Sequence, residues 1–180
     1  TLKNDINALC EFQTLAEYTE ELVRNLYKDQ KVKSWNFESI KWSIIESLEE
    51  LGEFKESWPL INWINKFINN KKILDSEIYE LILRITKVFS EYILYRPEMI
   101  EKWHNTELKN SNLFSGLNKD QYWQPILFKL IERNLNKPIC IFMREIINDI
   151  NNLKNSSKIK IPKNIYIVAS NNLSKLQISF

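Results

Sequence analysis

Residues 76–103, SEIYELILRITKVFSEYILYRPEMIEKW, decide the fold of this chain, because a long amphipathic helix there runs into an Arg-Pro step. Apolar residues recur at three- and four-residue spacing and predict one buried stripe, formed by Ile78, Leu81, Ile82, Ile85, Val88, Phe89 and Tyr92. Asp75 or Ser76 can cap the start of this helix. The charged residues that fall largely off the stripe are Glu80, Arg84, Lys87 and Glu91.

A corner between two helices is predicted at Arg96. Pro97 disfavours helical geometry at the residue before it and suits the first turn of a second helix over residues 98–104. The Arg96 guanidinium, held by two rigid elements, could face a phosphate or a base edge. It could instead cap the carbonyl groups at the end of the first helix. The sequence alone leaves both alternatives open.

Helices are expected to dominate the rest of the chain, since two glycines and five prolines leave little turn chemistry. The predicted helices cover residues 15–26, a segment from Asn36 or Ser39 to Gly52, a segment opened by Pro59, one capped by Asp120 and one begun by Pro138. Residues 105–118 predict one long polar loop. Residues 165–169 form a short β-branched run, typical of a buried parallel strand, and residues 6–12 could be a second strand or an extended lead-in.

The sequence carries a small net positive charge and lacks a segment typical of membrane insertion. The chain has 180 residues, 44% of them hydrophobic, with a net charge of +2. No apolar run approaches the roughly 20 residues that span a bilayer, and the first residues lack the pattern of a secretory signal. We therefore expect a cytoplasmic protein that contacts no membrane. Because the chain starts at Thr1 without an initiator Met, we expect either processing or, in preference, a domain taken from a longer polypeptide.

Groups for nucleotide hydrolysis are missing from the sequence. A phosphate-binding loop needs several glycines, and the chain has only Gly52 and Gly116. The predicted strand at 165–169 ends in Ala169 and is followed by Ser170, where a motor would need acidic residues to hold magnesium. We therefore expect no ATPase or nuclease activity for this chain alone, no catalytic residues and no cofactor.

Other catalytic and metal sites also lack their usual residues. The single histidine, His104, has no serine or cysteine at a motif spacing and is interpreted as a partly exposed residue at a helix end. Cys10 and Cys140 lie far apart in the sequence, which favours two free buried thiols and no metal site. A run of carboxylates is interpreted as a solvated helix end, formed by Glu49, Glu50, Glu53 and Glu56.

Six tryptophans raise the hypothesis of base stacking. Three of them, Trp42, Trp63 and Trp123, lie close to apolar helix faces in the predicted pattern, which favours core packing. Trp103 follows the Arg96 corner and is expected to be more open.

Three segments occur in an order that resembles a known family. They are YILYRPEMIEKW (92–103), YWQPILFKLI (122–131) and IPKNIYIVASNNLSKLQ (161–177), and residues 6–23 and 39–51 extend the likeness. The set resembles the N-terminal motor-like region of the RecC family, the gamma subunit of exodeoxyribonuclease V. The resemblance implies a mainly α fold, with a helical accessory domain at 31–158 inserted in a partial, inactive helicase-like α/β core. Residues 1–30 and 159–180, with one or two short strands, would form that core.

The resemblance also implies a function. The family acts in recombinational repair of double-strand breaks, so the expected partners are single-stranded or unwound DNA and the motor and nuclease beta and alpha subunits. The chain would hold or scan a separated strand without catalysis. In the family, the end of the long helix before the Tyr-Arg-Pro step faces that strand. The DNA-binding candidates are therefore Arg96, Lys87, Glu91, Ser90 and Trp103.

Some positions depart from the family pattern. Members that read a DNA signal have acidic and amide side chains where this chain has Lys87, Ser90 and Glu91, and bulky apolar groups where it has Thr14 and Glu20. Base readout depends on the placement of donors and acceptors, so we expect strand binding with a different preferred sequence or none. A helical scaffold that binds only protein is the alternative.

Overall fold

Helices joined by short turns make up the computed structural model, which describes residues 15–27, 33–69 and 74–151. The helices are α1 (Leu15–Leu26), α2 (Phe37–Leu51), α3 (Trp58–Asn69), α4 (Leu74–Tyr95), α5 (Pro97–Asn105), α6 (Trp123–Leu135) and α7 (Ile139–Asn151). Short 3-10 segments lie at Lys55–Ser57, Ser111–Phe114 and Lys119–Gln121. The mainly α prediction is confirmed.

The predicted α/β core is not part of this description. Residues 6–12 and 165–169, with Ala169 and Ser170, lie outside the described ranges, and those ranges contain no strand. The inserted arrangement and its boundaries stay predictions. None of the helices in the described part of the chain combines the length and the apolar character needed to cross a membrane.

The main core lies between α2, α4 and α6, with α5 closing one end. α2 packs against both α6 and α4. Phe89, Trp103 and Phe128 are its largest fully buried side chains. Burying an aromatic or aliphatic side chain of this size contributes about 1.5–3 kcal/mol to folding. Side chains from α4, α5 and α6 thus meet in this core.

The stripe on α4 is wider than the sequence pattern predicts. Ile82, Ile85 and Phe89 are buried, whereas Val88 and Tyr92 are only half-buried. Two further positions complete the stripe: Ile93 is buried, and Thr86 is buried with its hydroxyl donating to the Ile82 carbonyl at 2.7 Å. That bond satisfies the polar group inside the core.

Two of the predicted helix caps were wrong. α4 begins at Leu74, so Asp75 and Ser76 lie in its first turn and not ahead of it. Asp120 lies in the 3-10 segment before α6, whose N-cap position is occupied by Tyr122. At the start of the 3-10 segment, the Gln121 side chain accepts a hydrogen bond from the Asn118 backbone N–H at 3.1 Å.

Other predicted helix boundaries are confirmed. The Asn36 side chain accepts from the Ser39 backbone N–H at 2.8 Å and caps α2. Gly52 follows α2, but its φ of −64° is right-handed, so this helix end makes no use of the conformational freedom of glycine. Pro97 is the first residue of α5, and Pro138 directly precedes α7.

The long connection between α5 and α6 is anchored to the core. Leu113 is fully buried, and the Phe114 ring stacks on Tyr122 with centroids 4.6 Å apart. Lys102 Nζ donates to the Ser115 carbonyl at 2.6 Å. This connection was expected to be a polar loop, and its apolar anchor was not predicted.

A small polar ladder lies inside the contact between α2 and α6. Ser43 and Ser47 of α2 are buried. The Asn134 side-chain amide of α6 donates to the hydroxyl oxygens of Ser43 at 3.1 Å and of Ser47 at 3.4 Å. The Ser47 hydroxyl in turn donates to the Ser43 carbonyl at 2.7 Å. The two serine hydroxyl groups thus provide hydrogen-bond acceptors for the Asn134 side-chain N–H groups within the helix contact.

α1 packs against α7 through a second, smaller cluster. Val23 of α1 is buried with Phe142 and Ile146 of α7, and the Tyr27 ring lies 4.8 Å from the Phe142 ring.

Candidate nucleic-acid interface

A single residue separates α4 from α5. Arg96 has φ −130° and ψ 50°, outside the helical region, as expected for the residue before a proline. Its N–H donates to the Tyr92 carbonyl at 2.9 Å, and its carbonyl accepts from the Met99 N–H at 3.1 Å. Each backbone group of Arg96 is therefore bonded to one of the two helices, which fixes the corner.

The Arg96 side chain lies against an aromatic ring. Its guanidinium carbon is 5.5 Å from the centroid of the Tyr92 ring, and the residue is exposed. This is the geometry of a cation–π contact. Among the described residues the guanidinium makes no hydrogen bond or ion pair. Of the two alternatives, capping of the α4 carbonyl groups by this side chain is therefore not seen within this part of the chain.

Arg96 differs from the other four arginines of the chain, each of which pairs with a carboxylate. These pairs are Arg24 with Glu20, Arg84 with Glu80, Arg133 with Glu50, and Arg144 with both Glu98 and Glu101. Within residues 15–27, 33–69 and 74–151, Arg96 is the one arginine without an acidic partner. Its five N–H donors thus have no acceptor among the described residues.

The ring behind Arg96 is held from three sides. The Tyr92 hydroxyl donates to Gln124 Oε1 of α6 at 3.2 Å, and the Tyr92 ring meets Trp103 of α5 edge-on with centroids 6.0 Å apart. Phe89 contacts the same ring within α4. Sequence reasoning placed Tyr92 in the apolar stripe and missed this role. A tyrosine four residues before an arginine was the available signal, since such residues are neighbours on a helix surface.

Trp103 was expected to be open, and this was wrong. It is 1% exposed and packs against Tyr92 and Phe128. The reason is the direction of α5: Pro97, Ile100 and Trp103 follow at three-residue spacing and all face the core. In this packing the indole has no free face on which a base could stack.

The remaining candidates lie on other faces of α4. Lys87 and Glu91 are exposed one turn apart, and neither pairs with another described residue. Ser90 is half-buried, and its hydroxyl donates to the Thr86 carbonyl at 2.9 Å. Tyr92 follows Glu91 by about 100° around the helix. The structure therefore brings Arg96 together with Tyr92 and not with Lys87 or Glu91.

Two of the three tryptophans expected in the core are exposed. Trp42 is 58% exposed and Trp63 is 40% exposed, so that expectation was wrong for both. Trp42 follows the buried Ile40 by two positions, about 200° around α2, and therefore faces outward. Trp123 is half-buried against the core, which confirms its expected packing.

The helix-end position predicted for His104 is confirmed. Its Nδ1 bonds to the Glu132 carboxylate, and Lys129 Nζ donates to the His104 carbonyl at 2.6 Å. Lys129 also bonds to the second oxygen of Glu132 at 3.1 Å. These contacts join α5 to α6. They also place the Lys129 ammonium at the C-terminal end of α5, where the last carbonyl groups lack partners within the helix and favour a cation.

Cys140 is a free buried thiol, as predicted, whereas Cys10 lies outside the described residues. Burial raises the pKa of Cys140 from 9.0 to about 12.

Of the four clustered carboxylates, Glu49, Glu53 and Glu56 are exposed, and Glu50 pairs with Arg133. Within the described ranges, no group of three or more histidine, cysteine or acidic residues is arranged to hold a metal.

Comparisons with known proteins agree with one another. The family model described as RecC, N-terminal domain, matches residues 1–180. The chain is 25% identical over 109 residues to the RecBCD enzyme subunit RecC of Escherichia coli, a match that covers 61% of this chain and 9% of that protein.

Two further relatives carry the same name. The protein from Buchnera aphidicola subsp. Baizongia pistaciae is 25% identical over 131 residues, covering 67% of this chain and 11% of the relative. That from Buchnera aphidicola subsp. Acyrthosiphon pisum is 28% identical over 142 residues, covering 72% and 13%. The matched region is thus a small share of each relative, between 9% and 13%.

Proposed function

The chain belongs to the RecC N-terminal domain family, and we propose that it is a non-catalytic, strand-holding part of a helicase–nuclease subunit. Its work would be recombinational repair of double-strand breaks in the cytoplasm. The relatives are named as subunits of the RecBCD enzyme, which supports assembly with the motor and nuclease beta and alpha subunits. The proposed nucleic-acid partner is a single strand separated from its complement.

The observation that carries the DNA-binding proposal is the unpaired Arg96. Its guanidinium is exposed, backed by the Tyr92 ring and, among the described residues, not engaged by a carboxylate. A planar guanidinium matches a phosphate or a base edge with two parallel hydrogen bonds. The Tyr92–Gln124 bond holds the ring and the backbone bonds hold the corner before a strand arrives, which reduces the entropy lost on binding.

The other candidates have lesser parts in this proposal. Lys87 and Glu91 point away from Tyr92 and would meet a strand only if it also crossed the outer face of α4. The Ser90 hydroxyl is already bonded within the helix, and Trp103 is buried. A single phosphate-type contact carries no sequence information. We therefore propose strand holding without readout of a defined signal.

The decisive experiment compares Arg96→Ala, Arg96→Lys and Arg84→Ala in the native protein that carries this chain, assembled with its partners. Arg84 is the matched control, because it is exposed on the same helix and paired with Glu80 at 3.7 Å. Oligothymidine affinity is measured as a function of salt. Arg96→Ala should weaken binding by about 1.5–3 kcal/mol, as for a hydrogen bond to a charged group.

The salt dependence separates DNA binding from a protein scaffold. Loss of one phosphate contact should reduce the slope of log affinity against log salt by about one. Arg96→Lys should recover part of the affinity, because it keeps the charge and loses the two-point geometry. Equal affinity for the wild-type protein and Arg96→Ala would leave the scaffold as the better hypothesis.

A further inference from the structure

A second surface lies on the outer side of α2. Glu38, Trp42, Glu46 and Glu49 follow one another at spacings of four, four and three residues, which places them on one face of the helix. All four residues are exposed, and Trp42 is 58% exposed. An indole in solvent is thus flanked by carboxylates one turn before it and one turn after it.

Trp42 is part of a two-helix aromatic surface. The ammonium of Lys41 lies 5.4 Å from the Trp42 ring centroid and 5.9 Å from that of Tyr79 on α4, which is 47% exposed. Lys41 itself is buried, and its Nζ donates to Glu38 at 2.6 Å. The buried Lys41 therefore lies between the exposed Trp42 and Tyr79 rings. We name Trp42, Tyr79, Glu46 and Glu49 the α2 aromatic face.

The charge of this face is negative. Glu38 offsets the charge of Lys41, whereas Glu46 and Glu49 form no ion pair with any described residue. Two uncompensated carboxylates beside an exposed indole repel a phosphate backbone and attract cations. Tryptophan has the best ring for a cation–π contact, and a guanidinium can stack on it while donating hydrogen bonds to a carboxylate.

We propose that the α2 aromatic face docks an arginine- and lysine-rich segment of a partner protein. An arginine of that segment lies over Trp42 and donates to Glu46, and a second cation meets Glu49. This inference is independent of strand binding at Arg96, because its indole and carboxylates lie on α2 and carry the opposite sign of charge.

The test measures fluorescence anisotropy of a labelled Arg-Gly repeat peptide on the native protein that carries this chain. A Glu-Gly peptide of equal length and an oligothymidine are the comparison probes. The variants are Trp42→Ala and the charge reversal Glu46→Lys with Glu49→Lys. Trp58→Ala is the aromatic control, since Trp58 is 50% exposed, and Glu107→Lys is a charge control at another exposed position.

The Arg-Gly peptide should bind and the Glu-Gly peptide should not. Trp42→Ala should weaken peptide binding by about two- to fivefold, the range of an exposed cation–π contact. The double charge reversal should abolish binding, and the two controls should leave it unchanged. Unaltered peptide affinity in both α2 variants, or no binding by the wild-type protein, would overturn the proposal. So would oligothymidine binding that falls with Trp42→Ala, which would assign the face to nucleic acid.

Discussion

Arg133 and Glu50, which are 83 residues apart in the sequence, form a two-point ion pair that joins α6 to α2. Arg133 Nη1 donates to Glu50 Oε1 at 2.7 Å, and Nη2 donates to Oε2. The hydrogen bond from Arg133 lowers the pKa of Glu50 below its ordinary value of 4.5. The same contact raises the pKa of Arg133.

Glu50→Gln should lower the free energy of unfolding at neutral pH by about 0.2–1 kcal/mol, because both side chains are partly exposed and water screens the pair. A lowered carboxyl pKa stabilises the fold above the unfolded-state pKa, and this contribution is lost as the pH falls through the folded-state pKa. The difference between wild type and variant should therefore vanish in acid. Urea denaturation at neutral and acidic pH measures it, with Glu49→Gln as the neighbouring control. An equal loss at both pH values would contradict the assignment.

Trp103→Ala should destabilise the protein by about 3–5 kcal/mol, because the indole fills the centre of the core between α4, α5 and α6. Trp42→Ala is the matched contrast and should change stability by no more than about 0.5 kcal/mol, since that side chain is in solvent. Denaturant midpoints of the two variants give the comparison directly. Similar losses of stability for both variants would contradict the difference in burial between the two tryptophans.

Tyr92→Phe should cost about 0.5–1.5 kcal/mol of stability, because it removes the hydroxyl that bonds to Gln124 and keeps the ring behind Arg96. A double-mutant cycle with Gln124→Ala isolates this bond, since the two changes should be less than additive. Strand affinity of Tyr92→Phe should stay close to wild type, whereas that of Tyr92→Ala should fall. Strict additivity in the cycle would show that the two side chains do not interact.

Cys140 should resist thiol reagents in the folded protein, because burial holds its pKa at about 12 and the thiolate is the reactive form. The raised pKa stabilises the folded state below the ordinary value of 9.0, and this contribution is lost as the pH rises through the folded-state pKa. A Cys10→Ser variant leaves Cys140 as the only thiol. Its modification rate should rise sharply on adding denaturant, and fast labelling under native conditions would refute the burial.

Local constraints account for what the sequence predicted correctly. Pro97 marks the α4–α5 corner because its ring restricts the residue before it, and Asn36 marks the start of α2 through a side-chain bond three residues away. Both signals act within a single turn of chain. The apolar period of α4 is equally local, which is why the buried face of Phe89 could be predicted.

Apart from the two helix caps, the errors concern tertiary partners. Trp42 and Trp103 have similar local surroundings in the sequence, and only the direction of α2 and α5 relative to the bundle separates an exposed indole from a buried one. Leu113 and Phe114 form a short apolar pair in a mostly polar stretch, too short to show a helical or strand period. The contact between Tyr92 and Gln124 spans 32 residues, so no local pattern could reveal it.

The Ser43, Ser47 and Asn134 ladder restricts how α2 and α6 can be aligned. If α6 slid by one turn, about 5.4 Å, the Asn134 amide would lose its bonds to both hydroxyl oxygens. Each lost hydrogen bond costs about 0.5–1.5 kcal/mol, and a purely apolar contact has no such bond to lose. The ladder therefore favours one alignment of α2 against α6, the one in which Ser43 and Ser47 both face Asn134.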